Sequence, residues 1–420
     1  MATPRPFHVV VWGSTGFTGK LVCEHIAKDY KGQVKWAMAG RNPQKLESIR
    51  ADLASQYGED AVKDVPIIIG TLDDASSLDA IASQTSVIIN TAGTPFALNG
   101  TPVVDAAVRN KTHYVDITGE VPWVKSLIDK HHDTAAHNNT RIVNCCGYDS
   151  IPSDLGTYFM VQHFKKEYGH PPKSVITAVA EGSGGVSGGT VYTGMYQATQ
   201  KESSKPENSG VYALIPRGAQ PGSDKDLWGT RYCTPLQKYL APFIMQVCNS
   251  RIVERSNYLL DYGGPSFSYT EATLAKGWWG AKVVAAATLG IGAAISQSWF
   301  HPVLRKFAPA PGQGPSREAM MEKGFFKHAL VGESQDGSTV VIGEMGDPKR
   351  DPGYWGTSRM VLEAGLCLAL QQGALDGDEG LVHGGVLTPA SAMGSHLIER
   401  LERAGQYYTI KRVVKGGGGK

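Results

Sequence analysis

Val9-Val-Val-Trp-Gly-Ser-Thr-Gly-Phe-Thr-Gly-Lys20 decides the fold. Phe7 to Trp12 is a short, apolar, β-branched run, the pattern of a strand buried on both faces. Gly13, Gly16 and Gly19 follow at three-residue spacing, and Leu21 to Tyr30 reads as a helix with Leu21, Val22, His25 and Ile26 on one side. A strand, a glycine-spaced turn and a helix make a cradle for a diphosphate. Gly13 permits the tight turn, Gly16 puts no Cβ between backbone and pyrophosphate, and Gly19 lets the helix sit close on the strand. The helix N-terminus then turns free N–H groups toward the negative charge. Ser14, Thr15, Phe17 and Thr18 fill out this predicted phosphate loop. The spacing is not the commoner Gly-x-Gly-x-x-Gly, so its weight comes from context. The bland reading is a glycine-rich turn that binds nothing.

Working outward, Val34 to Ala39 reads as the second strand, ending in Gly40-Arg41-Asn42 with Lys45 nearby. This position selects between the nicotinamide cofactors: an acid would hold the ribose hydroxyls of NAD, whereas an Arg accommodates the 2′-phosphate of NADP. No acid is present, and Arg41 offers a permanently charged planar fork, with Asn42 and Lys45 beside it. NADP is therefore preferred over NAD; the alternative is that Arg41 is an ordinary solvated charge.

Strand and helix keep alternating. Ile69 leads to Gly70-Thr-Leu-Asp73, an adenine-side loop, and Ser86 to Asn90 leads to Thr91-Ala-Gly93 with Pro95. The latter's small residues allow close approach to ribose and pyrophosphate. His113 to Ile117 precedes Gly119-Glu120, and Arg141 to Cys146 precedes Gly147-Tyr-Asp-Ser-Ile-Pro-Ser-Asp154. That rhythm predicts an α/β fold: a Rossmann doubly wound parallel sheet over residues 1–153, with its ligand beyond the strand carboxyl ends. Of Tyr114 and Asp116, one is assigned to the core.

Beyond 153 the pattern changes. Residues 154–350 read as a second α+β domain on a mixed or mostly antiparallel sheet, for substrate or oligomerisation. Strand-like runs lie at Lys173 to Glu181, Asn257 to Tyr262, Phe326 to Glu333 and Ser338 to Glu344. The glycine-rich stretch Gly182 to Thr190 calls for close backbone approach or a moving lid. Residues 351–414 are expected to bring helices back onto the first domain, with a last strand at Tyr407 to Val414, and 415–420 to form a flexible tail. Trp278 to Phe300 is the odd stretch, with a single charge, Lys282, and aromatics at both ends. As a helix it would be about 34 Å long. Three readings stay open: a membrane span, a helix lying on a membrane or lipid-droplet surface, and a buried or homodimer-interface helix.

Composition limits the function. The chain has 420 residues, 50 of them Gly, with 41 Lys plus Arg against 39 Asp plus Glu. That balance gives no reason to expect nucleic-acid binding. The six cysteines form no Cys-x-x-Cys pair and read as reduced, buried thiols. With no secretory signal in Met1 to Pro6, the expectation is a cytoplasmic protein, membrane- or lipid-droplet-associated if the 278–300 helix meets lipid. The histidines and cysteines form no metal-ligand pattern, and His131 and His132 read as solvated.

Tyr148 and Asp149 are the catalytic candidates. They follow the sixth strand, where the nicotinamide should lie, and a Tyr hydroxyl can give a proton to a reduced acceptor. The competing reading packs Tyr148 and has Asp149 or Ser150 cap the next helix. Glu120 either holds a cofactor group or is a first-turn helix charge.

Together these stretches resemble the saccharopine dehydrogenase-like oxidoreductases, in the branch holding the trans-acting enoyl reductases of lipid polyketide assembly. The pieces that match are Gly13-Ser-Thr-Gly-Phe-Thr-Gly19, Ala39-Gly-Arg41, Asn90-Thr-Ala-Gly93, Tyr114-Val-Asp116, Gly147 to Asp154, Ser187 to Thr190, Gly312 to Ser316, Asp351-Pro-Gly-Tyr354 and Gly385 to Ala390. The resemblance implies NAD(P)-linked reduction of a C=C, C=N or C=O bond in an apolar, lipid- or polyketide-like substrate, free or carrier-bound. Two alternatives remain: a lipid-surface or scaffold protein whose cofactor-bound Rossmann core is structural, and a saccharopine-type imine reductase. No basic pocket signature demands saccharopine's carboxylates.

Overall fold

The computed structural model describes residues 5–183, 188–200, 205–307 and 314–415. The middle of the glycine-rich stretch, most of the 308–316 loop and the 416–420 tail lie outside them.

The described strands are β1 (Phe7–Trp12), β2 (Trp36–Gly40), β3 (Ile67–Ile69), β4 (Thr85–Asn90), β5 (His113–Asp116), β6 (Arg141–Val143), β7 (Ser174–Ser183), β8 (Arg231–Cys233), β9 (Lys238–Ala241), β10 (Ser268–Ala275), β11 (Phe325–Glu333), β12 (Thr339–Asp347), β13 (Gly385–Leu387) and β14 (Tyr407–Lys415). They form two seven-stranded sheets. The first runs β13-β6-β5-β4-β1-β2-β3 and is parallel throughout. β1 lies at its switch point, with Val9 opposite Trp36 on one side and Val87 on the other. Val9, Val10 and Val11 are fully buried, as expected of a strand with helices on both faces. This is the doubly wound architecture read from the first twenty residues.

The second sheet runs β14-β12-β11-β7-β10-β9-β8, antiparallel except for the β7–β10 pair. The Ile151–Tyr168 helix leaves the first sheet and packs on the second through Phe164, Met160 and Leu155, all fully buried. The Thr357–Leu370 helix returns against the first sheet, where Gly365 faces Ile89 of β4 so closely that an added Cβ would lie 2.7 Å from it. One apolar core thus includes residues of both sheets, from Val9 to Met345.

Four expectations need correction. Asn257 to Tyr262 is not a strand: residues up to Leu260 end the Gln246–Leu260 helix. Nearly every residue of that helix from Gln246 to Asn257 is buried, so no polar face marks its period. Residues 351–414 hold more than helices and one last strand, because Gly385 to Leu387 adds another beside β6. Tyr114 and Asp116 do not part company, because residues two apart on a strand share a face; both are buried and the Tyr114 hydroxyl donates to Asp116 Oδ2 at 3.0 Å. His131 and His132 are not solvated. His131 is buried against Asp105, and His132 Nδ1 accepts from the Val386 amide and the Arg255 guanidinium. The last strand, β14, pairs with β12 in the second sheet.

Candidate functional site

The glycine turn has the shape its spacing implies. Gly13 sits at φ +88°, and a Cβ there would lie 2.5 Å from the Ala92 Cβ. A Cβ on Gly19 would lie 2.2 Å from the Gly13 carbonyl oxygen, so the helix must approach that turn without a side chain. Gly16 is the N-cap of the Phe17–Asp29 helix, and no side chain caps it. The first-turn N–H groups there are left for an external acceptor. The loop after β4 closes on this turn: the Thr91 amide and hydroxyl both donate to the Trp12 carbonyl at 3.0 Å. The Ser14 hydroxyl turns back to the Val11 carbonyl at 2.8 Å and is buried. Thr15, Phe17 and Thr18 are partly exposed around the cradle.

Arg41 ends β2, exposed, with no hydrogen bond to another described residue. Lys45 is also exposed, while Asn42 spends its side chain on capping the Pro43–Tyr57 helix, accepting from the Lys45 amide at 2.9 Å. Asp73 lies exposed in the loop after β3, and its neighbour Asp74 caps the next helix.

The floor of the crevice is a buried polar network that the sequence reading missed. Asp116 at the end of β5 accepts four hydrogen bonds: from the Thr118 and Cys145 amides, the Tyr114 hydroxyl and the Asn144 side chain. Asn90 at the end of β4 donates to the Tyr114 oxygen and accepts from the Ala92 amide, both at 2.9 Å. The loops after β4, β5 and β6 are thereby tied together beneath the place where a nicotinamide would lie. Glu120 belongs to the same framework. Both of its oxygens accept from loop amides, Phe96 at 2.6 Å and Ala97 at 3.0 Å, next to Pro95. Burial pushes its carboxyl up to about 7 despite those bonds. Gly93, at φ +123°, and Gly119 are both partly exposed in these loops.

Tyr148 and Asp149 lie beyond β6, facing the second sheet. The Tyr148 hydroxyl is 2.9 Å from His328 Nε2 on β11, and its ring packs edge-on against Phe326. The Tyr148 amide donates to the Thr357 hydroxyl at 3.0 Å, which fixes the residue's backbone. His328 is buried, its ring pKa pushed down to about 3 by desolvation, and its Nδ1 has no partner. Asp149 makes no hydrogen bond to a described residue, and Ser150, the N-cap of the following helix, gives no side-chain cap. Neither residue therefore does the capping that was the competing reading; the Ser150 hydroxyl instead donates to Asn249. Burial alone raises Asp149 to about 6. Below it, Glu271 on β10 accepts from Ser153 at 2.6 Å and Asn249 at 2.9 Å, and its other oxygen is unpartnered. Burial, and the nearby Asp149 charge, push Glu271 up to about 8, so it is protonated at neutral pH. His328 and Glu271 escaped the sequence reading because their strands carry no local motif.

Geometry of this kind defines an NADP-dependent oxidoreductase, and residues 9–143 match the saccharopine dehydrogenase NADP binding domain. NADP is the cofactor, and the uncapped amides, the side-chain-free turn and the unpaired Arg41 suit it. A protein of Mycobacterium tuberculosis provisionally named a trans-acting enoyl reductase is 35% identical, over 96% of this chain and 97% of its own. Trans-acting enoyl reductases of Mycobacterium bovis and Mycobacterium ulcerans are 32% and 30% identical, again over nearly the full length of both partners. The apo saccharopine dehydrogenase (L-Glu forming) of Saccharomyces cerevisiae shares the fold, at a TM-score of 0.52 and 16% identity, over 97% of this chain and 99% of that one. The chain belongs to the saccharopine dehydrogenase-like oxidoreductases, among the trans-acting enoyl reductase relatives.

Proposed function

We propose that this protein reduces the C=C bond of an apolar enoyl substrate carried as a thioester, with NADPH as reductant. The observation that carries the reading is the Tyr148 hydroxyl held on His328 beside the unpaired Asp149, at the carboxyl edge of β6. A purely structural Rossmann core has no use for a carboxylate kept uncompensated in a crevice, where it destabilises the fold. Packed around Tyr148 and Asp149 on this side are the buried Glu271, Ser153 and Phe326, with no Lys or Arg bonded among the described residues there. With Glu271 protonated, this side offers no cation to the carboxylates of saccharopine and carries no charge beyond that of Asp149, which favours a neutral substrate.

Bound NADPH supplies the hydride. The protein's own part is to orient the acceptor and deliver a proton. His328 is neutral, and its Nδ1 has no partner. A proton on Nε2 leaves only a lone pair unpaired and lets the ring donate to the Tyr148 oxygen. The phenolic proton is then free to point into the crevice and be given to the enolate formed as the double bond is reduced. Asp149, next in the chain and raised by burial to about 6, is the acid placed to return that proton.

The test is to incubate the protein with 4-deuterated NADPH and an enoyl thioester and analyse the product by mass spectrometry. The expected product is the saturated acyl thioester with one deuterium. Consumption of NADPH only with ketone or imine substrates would replace this reading by one of the other two reductions.

A further inference from the structure

The longest apolar element takes no part in the reductase site. The Trp278–Ser296 helix has a mean hydropathy of 1.4, yet only 11% of its most apolar window is buried. Its buried residues are Ala281 and Ala285, one turn apart, and Ala281 packs with Ala241 of β9 and Ala275 of β10 in the second sheet. Thr288 reaches the Pro242 carbonyl, and Ile295 lies beside Gly194 of the Gly188–Thr199 helix. Val284 packs beside the alanines, and the opposite side faces outward: Trp279 is 75% exposed, Val283 67% and Ile291 51%. Just past the helix, Trp299 is 74% exposed. A continuous apolar face of this size marks a docking site rather than ordinary surface.

We propose that this helix lies flat on an anionic phospholipid membrane. Charge chooses that occupant. No Asp or Glu occurs between Glu271 and Glu318, while the same interval holds Lys276, Lys282, Arg305, Lys306 and Arg317. Arg317 is paired with Glu24, which leaves Lys276, Lys282 and Lys306 exposed without a carboxylate. The Lys282 ammonium lies 5.5 Å from the Trp278 ring centroid, at the helix's amino end, where a headgroup would meet it. Tryptophans at both ends of an apolar helix, with cations and no acids around it, match the interface between acyl chains and anionic headgroups. A second copy of the chain matches it less well, since the lysines of two copies would gather with no acid between them. A bilayer span is excluded by the alanine stripe, which fixes the helix along the sheet and cannot be kept while it crosses hydrocarbon.

Flotation on density gradients tests this, with vesicles of phosphatidylcholine alone or with one-third phosphatidylserine. The wild-type protein is expected to float with the serine-containing vesicles. K282Q with K306Q should weaken partitioning about 25-fold, roughly fivefold for each basic residue near an anionic leaflet. V283D with I291D should abolish flotation while NADPH binding, read by fluorescence, stays intact and shows the fold is sound. The proposal fails if the wild type stays in the dense fraction, or if binding ignores both phosphatidylserine and the lysines. It also fails if sedimentation velocity shows a dimer that V283D dissociates while vesicles bind nothing.

Discussion

Arg41 is a single charge with a measurable consequence. Its guanidinium is exposed just past β2 and bonds to no other described residue, so the described fold does not depend on it. A 2′-phosphate would meet it in a partly solvated setting, where a charge-assisted bond contributes about 1.5 kcal/mol. Arg41→Ala should therefore weaken NADPH binding about tenfold and leave NADH binding and the melting temperature unchanged. Titration calorimetry with both coenzymes decides it, and an equal loss for the two would place the phosphate elsewhere. Tyr148 calls for a different readout. Tyr148→Phe keeps the ring against Phe326 but removes the proton, so kcat should fall roughly 100-fold or more with the NADPH dissociation constant unmoved. Asp149→Asn has the opposite signature on stability. Its carboxyl titrates near 6 in the fold against an ordinary 3.8. The folded state holds a proton that the unfolded chain has already lost, so stability declines as pH rises through that interval. Asp149→Asn should raise the melting temperature at pH 7.5, by about 1–3 kcal/mol of stability at most. The gain should vanish by pH 4, and activity should be lost throughout.

At the scale of elements, the crevice is three loops hung on one carboxylate. Asp116 accepts from two backbone amides and two side chains that belong to β5, β6 and the loops after them. Asp116→Asn turns one acceptor into a donor facing donors, which leaves buried groups unpaired at a cost of about 2–4 kcal/mol. Thermal denaturation should show that loss, together with weaker NADPH binding, because the Thr91 and Gly119 loops lose their common anchor. A change in melting temperature with binding untouched would show that the network only stabilises the fold. The same network shows what could be read from sequence. β1, its glycine turn and its helix are consecutive in the chain, so strand, spacing and charge preference sit in one short window. Tyr148 could be chosen for its place after β6, but its partner His328 is 180 residues away, on a strand that carries no signature. β13 is three residues long and exists only because β6 offers it an edge. The Gln246–Leu260 helix is buried almost all round, which erases the polar stripe that reveals a helix.

Across the whole molecule, burial raises the carboxyls of several acids. Glu120 and Asp154 titrate at about 7, and Glu254 and Glu271 at about 8, well above their ordinary values. Each retains its proton in the fold after the unfolded chain has released it, so each subtracts stability as pH climbs toward the folded value. His328 and His113 act oppositely: burial holds them near 3 and 4, so they subtract stability only below about 6.5, where the unfolded chain takes up protons. Above pH 6.5 the histidine slope fades and is gone by about pH 7.5, while the acids still titrate. Stability should therefore fall between pH 6.5 and pH 8.5, by about 4–5 kcal/mol in total at most. Glu271→Gln isolates one of the two largest shares. A glutamine oxygen can still accept from Ser153 and Asn249, and its amide occupies the position of the unpartnered oxygen without a charge to bury. Melting temperatures of the two proteins should draw together toward pH 6.5 and separate toward pH 8.5, with the variant the more stable. Parallel curves across that range would mean that Glu271 is already ionised in the fold, and the uncharged Glu271 argued for beneath Asp149 would have to be abandoned.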